Sequence, residues 1–367
     1  MKGIKILNKN IINKINKILL KEEESIHFLP KSKIKVKPNN LLLDEIDTIV
    51  IIKIILIFSC FILILQRKNN NHNIYNQNYH AYINYTYYAC FIALGREENK
   101  YVRELVEYYS KIGVEKFIFG DNNLPNTEKL SDVLQDYIDD GIIDIIELFG
   151  SISGQSELYN ITYEKYKYEC NWFLLFDFDE YLEVHFEENK TLMLKDFLSN
   201  EIFDECEAIL FNWIIYPDNN LTHYDNRTLI ERFTIPNYYA YANIFVKSVI
   251  RGGIDKTFFL PKKSNHVPEK GITICNSKGK IIKRYNPFSL SPPKYDYGYL
   301  KHFTTKTAEE YCDKIIKGPP RNESFNYDER VQLFFIHNKY SKEKMEIFEK
   351  KFNRTFHIFP IKDKYKK

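Results

Sequence analysis

Two aspartates placed two positions apart, at the end of an apolar run, carry the clearest chemical signal in the sequence. Asp177 and Asp179 follow the run NWFLLF, and Glu180 comes directly after them. Such a run is typical of a buried strand, and ligands bind beyond the carboxyl ends of strands in open α/β sheets. Side chains two residues apart on extended backbone point the same way. The pair predicts a site for a divalent cation with a bound diphosphate, with a solvated strand end as the simpler alternative.

The chain around this motif alternates apolar runs of strand length with amphipathic segments. The predicted strands are 87–94, 116–120, 142–148, 171–176 and 208–215, and the predicted helices are 99–112, 129–139, 159–170, 191–199 and 305–317. Strand–helix repetition with short connections predicts right-handed crossovers. The expected fold class is therefore α/β, with a Rossmann-like, mostly parallel sheet flanked by helices.

One segment near the N-terminus predicts a membrane anchor. Residues 49–65 are apolar apart from Lys53, which is close to the shortest length that spans a bilayer; a buried helix or a strand pair is the alternative. Ten lysines precede this segment, and only Arg67 and Lys68 follow it closely. The positive-inside rule then predicts a single-pass type II protein with a cytosolic N-terminus. The expected divisions are a Lys-rich tail (1–48), the transmembrane helix (49–65), a stem (66–85), a catalytic-sized domain (86–340) and a basic tail (341–367).

The net charge, the cysteines and the glycosylation sequons indicate which partners, disulfides and cellular compartment to expect. The formal net charge of +3 gives no basic footprint for nucleic acid, so no nucleic-acid partner is expected. Five of the six cysteines follow the apolar segment without a C-x-x-C pair, so disulfides would leave one thiol over. Seven Asn-x-Ser/Thr sequons favour a secretory lumen, such as that of the Golgi apparatus.

An ordered set of short motifs resembles glycosyltransferase family 92 and its family-2-like relatives. The similarity extends over residues 88–318, and no single motif carries it. The matching pieces are Glu98-x-x-Tyr101-x-x-Glu104, Gly120-Asp121-Asn122, Phe176-Asp177-Phe178-Asp179-Glu180-Tyr181, Asn212-Trp213-Ile214-Ile215-Tyr216 and Ile230-Glu231-Arg232-Phe233. Two departures are Arg96-Glu97-Glu98, where relatives have Lys/Arg-Asn-Glu, and Tyr216-Pro217-Asp218-Asn219, where relatives often have an aromatic residue followed by Gly. The second departure bears on the acceptor side.

The resemblance implies a GT-A fold and an inverting transfer of a hexose from a nucleotide sugar, taken to be UDP-linked, to a glycan hydroxyl. It also implies a divalent metal, Mn²⁺ or Mg²⁺, held by Asp177 and Asp179. A late histidine completes the metal shell in such enzymes, and His302 in the stretch YLKHF is the candidate, expected within roughly 10 Å of Asp179. His266 is the rival, and a purely structural role for His302 stays open.

Other residues are candidates for binding the donor or for removing the acceptor's proton. Glu98, Asp121, Arg251 and Asp177 are the donor-binding candidates, with turn, cap or ligand-free roles as alternatives. Inversion requires a base, and the two candidates are Asp218 and Glu231. Glu180 could instead orient the metal ligands.

Three other classes of protein compete with this interpretation. A nucleotidyltransferase would need a Gly-rich phosphate loop after the first strand, and Gly95-Arg96-Glu97-Glu98 is too acidic for that role. A membrane-tethered protein could keep the fold and bind glycans or nucleotides without catalysis. A purely structural protein would have no need for the Asp-Phe-Asp-Glu sequence at a strand end.

Overall fold

The computed structural model describes residues 83–151, 154–187, 190–254, 271–283, 289–318 and 326–358. Its strands are β1 Tyr87–Gly95, β2 Lys116–Asp121, β3 Ile143–Glu147, β4 Cys170–Leu175, β5 Glu180–Val184, β6 Ala208–Ile215, β7 Val246–Arg251, β8 Ile274–Asn276 and β9 Gly298–His302. Its helices are α1 Asn99–Lys111, α2 Leu130–Asp139, α3 Gly154–Tyr166, α4 Leu194–Leu198, α5 Leu229–Arg232, α6 Ala308–Ile316, α7 Tyr327–His337 and α8 Lys342–Phe352.

The strands form one mixed sheet in the order β3-β2-β1-β4-β7-β6-β9-β5, with β8 beside β6. Strands β3, β2, β1 and β4 are parallel, as the alternation of strands and helices predicts. Strand β7 then runs antiparallel to both β4 and β6, while β9 is parallel to β6 and β5 is antiparallel to β9. The α/β class is therefore confirmed, but the sheet is parallel only as far as β4 and mixed beyond it.

The strand directions bring several strand ends to one edge of the sheet. The carboxyl ends of β1, β2, β4, β6 and β9 meet there with the amino ends of β5 and β7. Asp177 and Asp179 connect β4 to β5 at this edge, which we call the carboxylate edge. Glu180 pairs with His302 across β5 and β9, and Ile215 lies beside His302 on β6.

Alternating side chains of the strands feed two apolar cores, one on each face of the sheet. Phe91 of β1 packs with Tyr109 of α1 on one face, whereas Ile92 packs with Tyr159 and Tyr163 of α3 on the other. A strand that is buried on both faces consists of nearly continuous apolar residues. For this reason β1, β2 and β4 are recognisable in the sequence. Because both faces of the central strands are packed against helices, the end of β4 is held in place, and so is Asp177, which follows it.

Two disulfides fasten the part of the sheet that lies away from the carboxylate edge. Cys90 on β1 bonds to Cys170 at the start of β4, and Cys206 before β6 bonds to Cys275 on β8. Cys312 is a buried free thiol. The five cysteines that follow the apolar segment thus form two pairs and leave one, as their number predicts.

The C-terminal residues differ from the sequence interpretation. Residues 341–367 were expected to form a basic tail, but 342–352 form α8. Met345 and Phe348 of α8 pack against α6 and α7 in a separate apolar cluster. The lysines of α8 lie mostly on its exposed side. Because the segment is rich in lysine, its composition does not reveal the apolar side chains that pack inward. The boundary expected at residue 340 therefore falls between two packed helices.

The N-terminal expectations concern residues that the structure does not describe. The predicted tail, transmembrane helix and almost all of the predicted stem lie before residue 83, and His266 also lies outside the described residues. Within the described ranges, no helix combines the length and the apolar character needed to cross a bilayer.

Candidate active site

Asp179 and His302 lie side by side at the carboxylate edge. The Oδ1 atom of Asp179 is 3.5 Å from Nε2 of His302, well within the separation expected from the sequence. The peptide N–H of Phe303 donates to the Asp179 carbonyl at 2.9 Å, which fixes the end of β9 against the loop after β4. Both side chains are buried, 8% and 7% exposed. A carboxylate oxygen and an imidazole nitrogen, both able to bind a metal ion, thus face each other in a buried position.

Lys314 completes the surroundings of Asp179. Its Nζ lies 3.1 Å from Asp179 Oδ2 and donates to the carbonyl of Thr304 at 2.8 Å. Burial alone would raise the pKa of Asp179, but the charges of Lys314 and His302 hold that pKa well below its ordinary value. Asp179 is therefore a carboxylate at neutral pH and can serve as an anionic ligand.

Asp177 points to different partners. Its Oδ2 atom is 2.8 Å from Nζ of Lys247 on β7, and its Oδ1 atom accepts a hydrogen bond of 2.7 Å from Gln155 on α3. Burial would lower the pKa of Lys247, but the carboxylates of Asp177 and Glu180 hold that pKa above its ordinary value. Lys247 is 1% exposed, so the structure places a charged ammonium group inside the protein against Asp177.

Glu180 lies directly behind the two aspartates. Its Oε2 atom accepts a hydrogen bond of 2.8 Å from the peptide N–H of Asp177 and is 3.8 Å from Lys247 Nζ. Its burial and the neighbouring Asp177 and Asp179 raise its pKa well above the ordinary value. The Oε1 atom has no hydrogen-bond partner among the described residues. Glu180 therefore holds the loop that carries the two aspartates, and its role in orienting metal ligands stays a prediction.

Glu98 lies at the amino end of α1 and faces two lysines from the chain after β9. It pairs with Lys317 and lies 3.6 Å from Lys306. Burial would raise the pKa of Glu98, but these two lysines hold it below its ordinary value. Lys314, which pairs with Asp179, lines the same small cleft as Glu98, so the two carboxylates are neighbours at this edge.

Two of the donor-binding candidates already have their polar groups occupied. Asp121 follows β2 at the carboxylate edge, but its oxygens accept from the peptide N–H groups of Asn123 and Leu130, so it caps α2. Arg251 is not brought to the site. Because β7 is antiparallel to β4, Arg251 lies opposite Trp172 at the far edge, where it donates to the carbonyls of Phe203 and Cys206.

The two candidates for the base lie in different environments. Asp218 is buried and pairs with Lys344 of α8 at 2.6 Å; burial raises its pKa. Glu231 forms a capping box with Thr228 at the start of α5, and those hydrogen bonds lower its pKa. Neither carboxylate is shown in contact with Asp179 or His302.

The donor set at Asp179 and His302 fits a transition metal in part. Carboxylate oxygen with imidazole nitrogen suits such ions, and Nδ1 of His302 has no hydrogen-bond partner among the described residues. Asp177 does not join them, because Lys247 and Gln155 occupy its oxygens. Within the described residues, no group of three His, Cys, Asp or Glu side chains converges as a metal site would require. Substrate oxygens and water would have to supply the other ligands of a metal ion bound here.

The sequence interpretation did not identify the lysines of this site. Lys247 lies inside the strand VKSVIR, and a lysine in the interior of a strand is the signal that could have identified it. Lys306, Lys314 and Lys317 follow His302 closely, but lysine is common throughout this chain and their number carried little weight. Their convergence depends on α6 folding back over the carboxylate edge.

Comparison with known families agrees with the motifs. The family model described as Glycosyltransferase family 92 matches residues 85–333. Among solved structures, S. aureus TarS 1-349 is 13% identical, with 73% of this chain and 71% of that chain covered and a TM-score of 0.31.

The same TarS fragment in complex with UDP is 12% identical, with 72% and 71% covered and a TM-score of 0.33. A longer S. aureus TarS structure is 13% identical, with 71% of this chain but only 45% of that chain covered and a TM-score of 0.32. No curated protein matches the chain at a significant level. Since the family model covers well over half of the sequence, the chain belongs to glycosyltransferase family 92 and is a glycosyltransferase.

Proposed function

We propose that this glycosyltransferase moves a hexose from a UDP-linked nucleotide sugar to a hydroxyl of a glycan, with inversion, at the carboxylate edge of a GT-A fold. The observation that carries the proposal is the contact of Asp179 with His302, at the place where β4, β6 and β9 all end. Open α/β sheets bind their ligands beyond such strand ends. The buried, ionised Asp179 supplies the anionic ligand that a metal–diphosphate complex needs.

The residues of the chain would divide the work of the reaction. Asp179 and His302 would hold Mn²⁺ or Mg²⁺, and the ion would supply positive charge for the departing diphosphate. Asp177, fixed by Lys247 and Gln155, would orient the donor rather than join the metal. Glu98, which lies between the end of β1 and the start of α1, would contribute to binding the donor.

The identity of the base remains a prediction. In an inverting transfer, the acceptor oxygen attacks the sugar carbon opposite the leaving group, and its proton passes to a carboxylate. Asp218 has the raised pKa that suits a base, but Lys344 covers one of its oxygens. Glu231 is accessible, but it is tied to the start of α5.

A panel of nucleotide sugars tests the proposed donor and metal together. With Mn²⁺ present, we expect hydrolysis or transfer from one UDP-sugar, and we expect EDTA to abolish it. The variant His302→Ala should need at least about tenfold more Mn²⁺, because an imidazole ligand is lost, with a smaller effect on UDP affinity.

The matched control is His223→Ala, which removes an exposed histidine that lies beside Glu309. It should behave as wild type. Equal Mn²⁺ requirements for His302→Ala and His223→Ala would remove His302 from the metal site, and His266 would then be the next ligand to test. Activity that is unchanged in EDTA would refute metal dependence.

We also propose that the domain lies in the lumen of the secretory pathway, anchored by residues 49–65. Two disulfides and the sequons support an oxidising compartment. Protease added to sealed microsomes should remove the Lys-rich N-terminus and spare the chain after about residue 67. Digestion of the C-terminal domain with a protected N-terminus would reverse this topology.

A further inference from the structure

A cleft lined by tyrosines opens on the strands beside the carboxylate edge. Its aromatic lining consists of Tyr238, Tyr295 and Tyr299, and its polar lining includes Glu183 and Lys190. We call it the tyrosine cleft. Its volume is about 260 Å³. A cavity of about 150 Å³ can hold a benzene molecule, so this cleft has room for a six-membered sugar ring with its hydroxyl groups.

The three tyrosine rings form a continuous aromatic wall. The ring centres of Tyr238 and Tyr295 are 6.3 Å apart, and those of Tyr295 and Tyr299 are 6.2 Å apart. Tyr238 is 55% exposed, although its ring packs against Tyr295. The face of an aromatic ring carries negative charge, and the C–H groups on one side of a pyranose ring are apolar and slightly positive. Aromatic rings exposed in a concave wall therefore suit a sugar.

Glu183 supplies hydrogen-bond acceptors in the same cleft. One of its carboxylate oxygens accepts a hydrogen bond of 3.0 Å from the Tyr299 hydroxyl, and the other pairs with Lys301. A carboxylate has about four acceptor positions, so Glu183 can still accept from the hydroxyl groups of a ligand. Among the described residues that line the cleft, one is acidic, Glu183, and one is a lysine, Lys190. The lining therefore favours a neutral ligand that is rich in hydroxyl groups over an anion.

The tyrosine cleft continues from the carboxylate edge. Tyr299 and His302 belong to the same strand, β9, and three residues of a strand span roughly 10 Å. On the neighbouring strand, Ile215 lies beside His302 and accepts a hydrogen bond of 2.8 Å at its carbonyl from the peptide N–H of Asn237. Asn237 directly precedes Tyr238. A ligand in the cleft thus lies close to the carboxylate edge but beyond the sugar residue that reacts there.

The loop between α5 and β7, which carries Tyr238, exposes further apolar side chains. Ile235, Tyr239 and Tyr241 are 64%, 98% and 50% exposed. The loop is nevertheless held in place, because the side-chain amide of Asn243 donates to the Asn237 carbonyl at 2.9 Å. Apolar side chains that cluster on a surface mark a binding site more often than scattered ones do. The loop therefore has the character of one wall of a binding cleft.

We infer that the tyrosine cleft binds a neutral sugar residue of the acceptor glycan, other than the residue whose hydroxyl is glycosylated. The inference rests on the proposed transfer to a glycan. The pyranose ring packs on Tyr238 and Tyr295, and its hydroxyl groups donate to Glu183. Because a single sugar at the carboxylate edge would not reach the cleft, the acceptor is an oligosaccharide rather than a monosaccharide.

Binding of neutral oligosaccharides to the full-length protein, measured by saturation-transfer NMR without donor, tests the cleft directly. The panel extends from disaccharides to hexasaccharides and includes their component monosaccharides. We expect at least one oligosaccharide to bind, and Tyr238→Ala to weaken its binding about tenfold, as expected for a lost aromatic contact. Tyr238→Phe keeps the ring and should bind as wild type does. In transfer assays, Tyr238→Ala should raise KM for the glycan more than it lowers kcat.

The matched control is Tyr340→Ala. Tyr340 is 58% exposed and, like Tyr238, packs against another ring, that of Phe335 at 5.4 Å, but it lies among the C-terminal helices. The two alanine variants each remove a half-exposed tyrosine, so their melting temperatures should be similar. Tyr340→Ala should bind the oligosaccharide as wild type does. Equal weakening of binding by both variants would overturn the inference.

The inference and the proposed function fail in different ways. If the wild type binds no neutral oligosaccharide, or if Tyr238→Ala binds as tightly as wild type, the cleft is not an acceptor subsite. Hydrolysis of a UDP-sugar by the wild type would still uphold the proposed donor in that case. If no UDP-sugar is used but Tyr238→Ala loses oligosaccharide binding, the cleft binds glycans and the proposed donor is wrong.

Discussion

Replacing Asp179 with asparagine is expected to lower kcat/KM for glycosyl transfer by about a hundred- to thousandfold while the protein stays folded. The change removes the anionic ligand at the carboxylate edge but keeps its size. The loss of one electrostatic group that acts on the transition state typically has an effect of this magnitude. Lys314 loses its partner, but its side chain is 36% exposed, so water can solvate the ammonium group. We expect the melting temperature to change by only a few degrees.

A matched aspartate serves as the control for this experiment. Asp144 pairs with Lys116 at 2.8 Å, near the edge of the sheet opposite the carboxylate edge. Asp144→Asn should therefore leave kcat/KM unchanged. Steady-state kinetics and thermal melting of both variants separate the two roles. Unfolding of Asp179→Asn, or equal activity of the two variants, would show that Asp179 belongs to a structural network instead.

Replacing Lys247 with methionine is expected to destabilise the protein by about 1–3 kcal/mol. The ammonium group is buried between Asp177 and Glu180, and its removal leaves the buried Glu180 without its cation, whereas the Asp177 side chain is 39% exposed and can be solvated by water. Methionine keeps most of the volume, so the loss of stability measures the charge rather than the packing. For a protein of this size the melting temperature should fall by a few degrees. Donor affinity should fall as well, since Lys247 positions Asp177.

The effect of Lys247 can be checked against an exposed pair and a compensating change. Lys278→Met breaks a partly exposed pair with Asp296 and should cost less than about 1 kcal/mol. Adding Glu180→Gln to Lys247→Met should recover part of the stability, because glutamine cannot ionise beside the two aspartates. Urea unfolding measures all of these values. A stability for Lys247→Met equal to that of Lys278→Met would contradict a buried charged pair.

The regular part of the fold was predictable because local patterns determine it. Strands β1, β2 and β4 are apolar runs covered on both faces, and β6 begins and ends where the sequence places it. The helix before β4 was placed too late, at 159–170, because Cys170 already pairs with Tyr87 as the first residue of β4. The family-like motifs then identified the strand end that carries Asp177 and Asp179.

The site was less predictable, because its charges come from distant parts of the chain. The direction of β7 decides whether Lys247 or Arg251 reaches the carboxylate edge, and the sequence VKSVIR does not reveal whether the strand runs parallel or antiparallel. The sequence interpretation named Arg251 as a candidate for donor binding, with a ligand-free turn as the alternative, and the antiparallel pairing with β4 places Lys247 at this edge instead. Likewise, Asp121 has the position of a nucleotide ligand, but its capping of Leu130 depends on the loop before α2.

The most direct test of the central claim is a crystal structure of the protein with Mn²⁺ and UDP, with the metal located by its anomalous scattering. The account predicts one manganese peak bonded to Asp179 and His302 at about 2.0–2.6 Å. The diphosphate of UDP should lie next to that metal at the carboxylate edge. A manganese peak and a nucleotide away from the carboxylate edge, with Asp179 and His302 still in contact only with each other and Lys314, would contradict it.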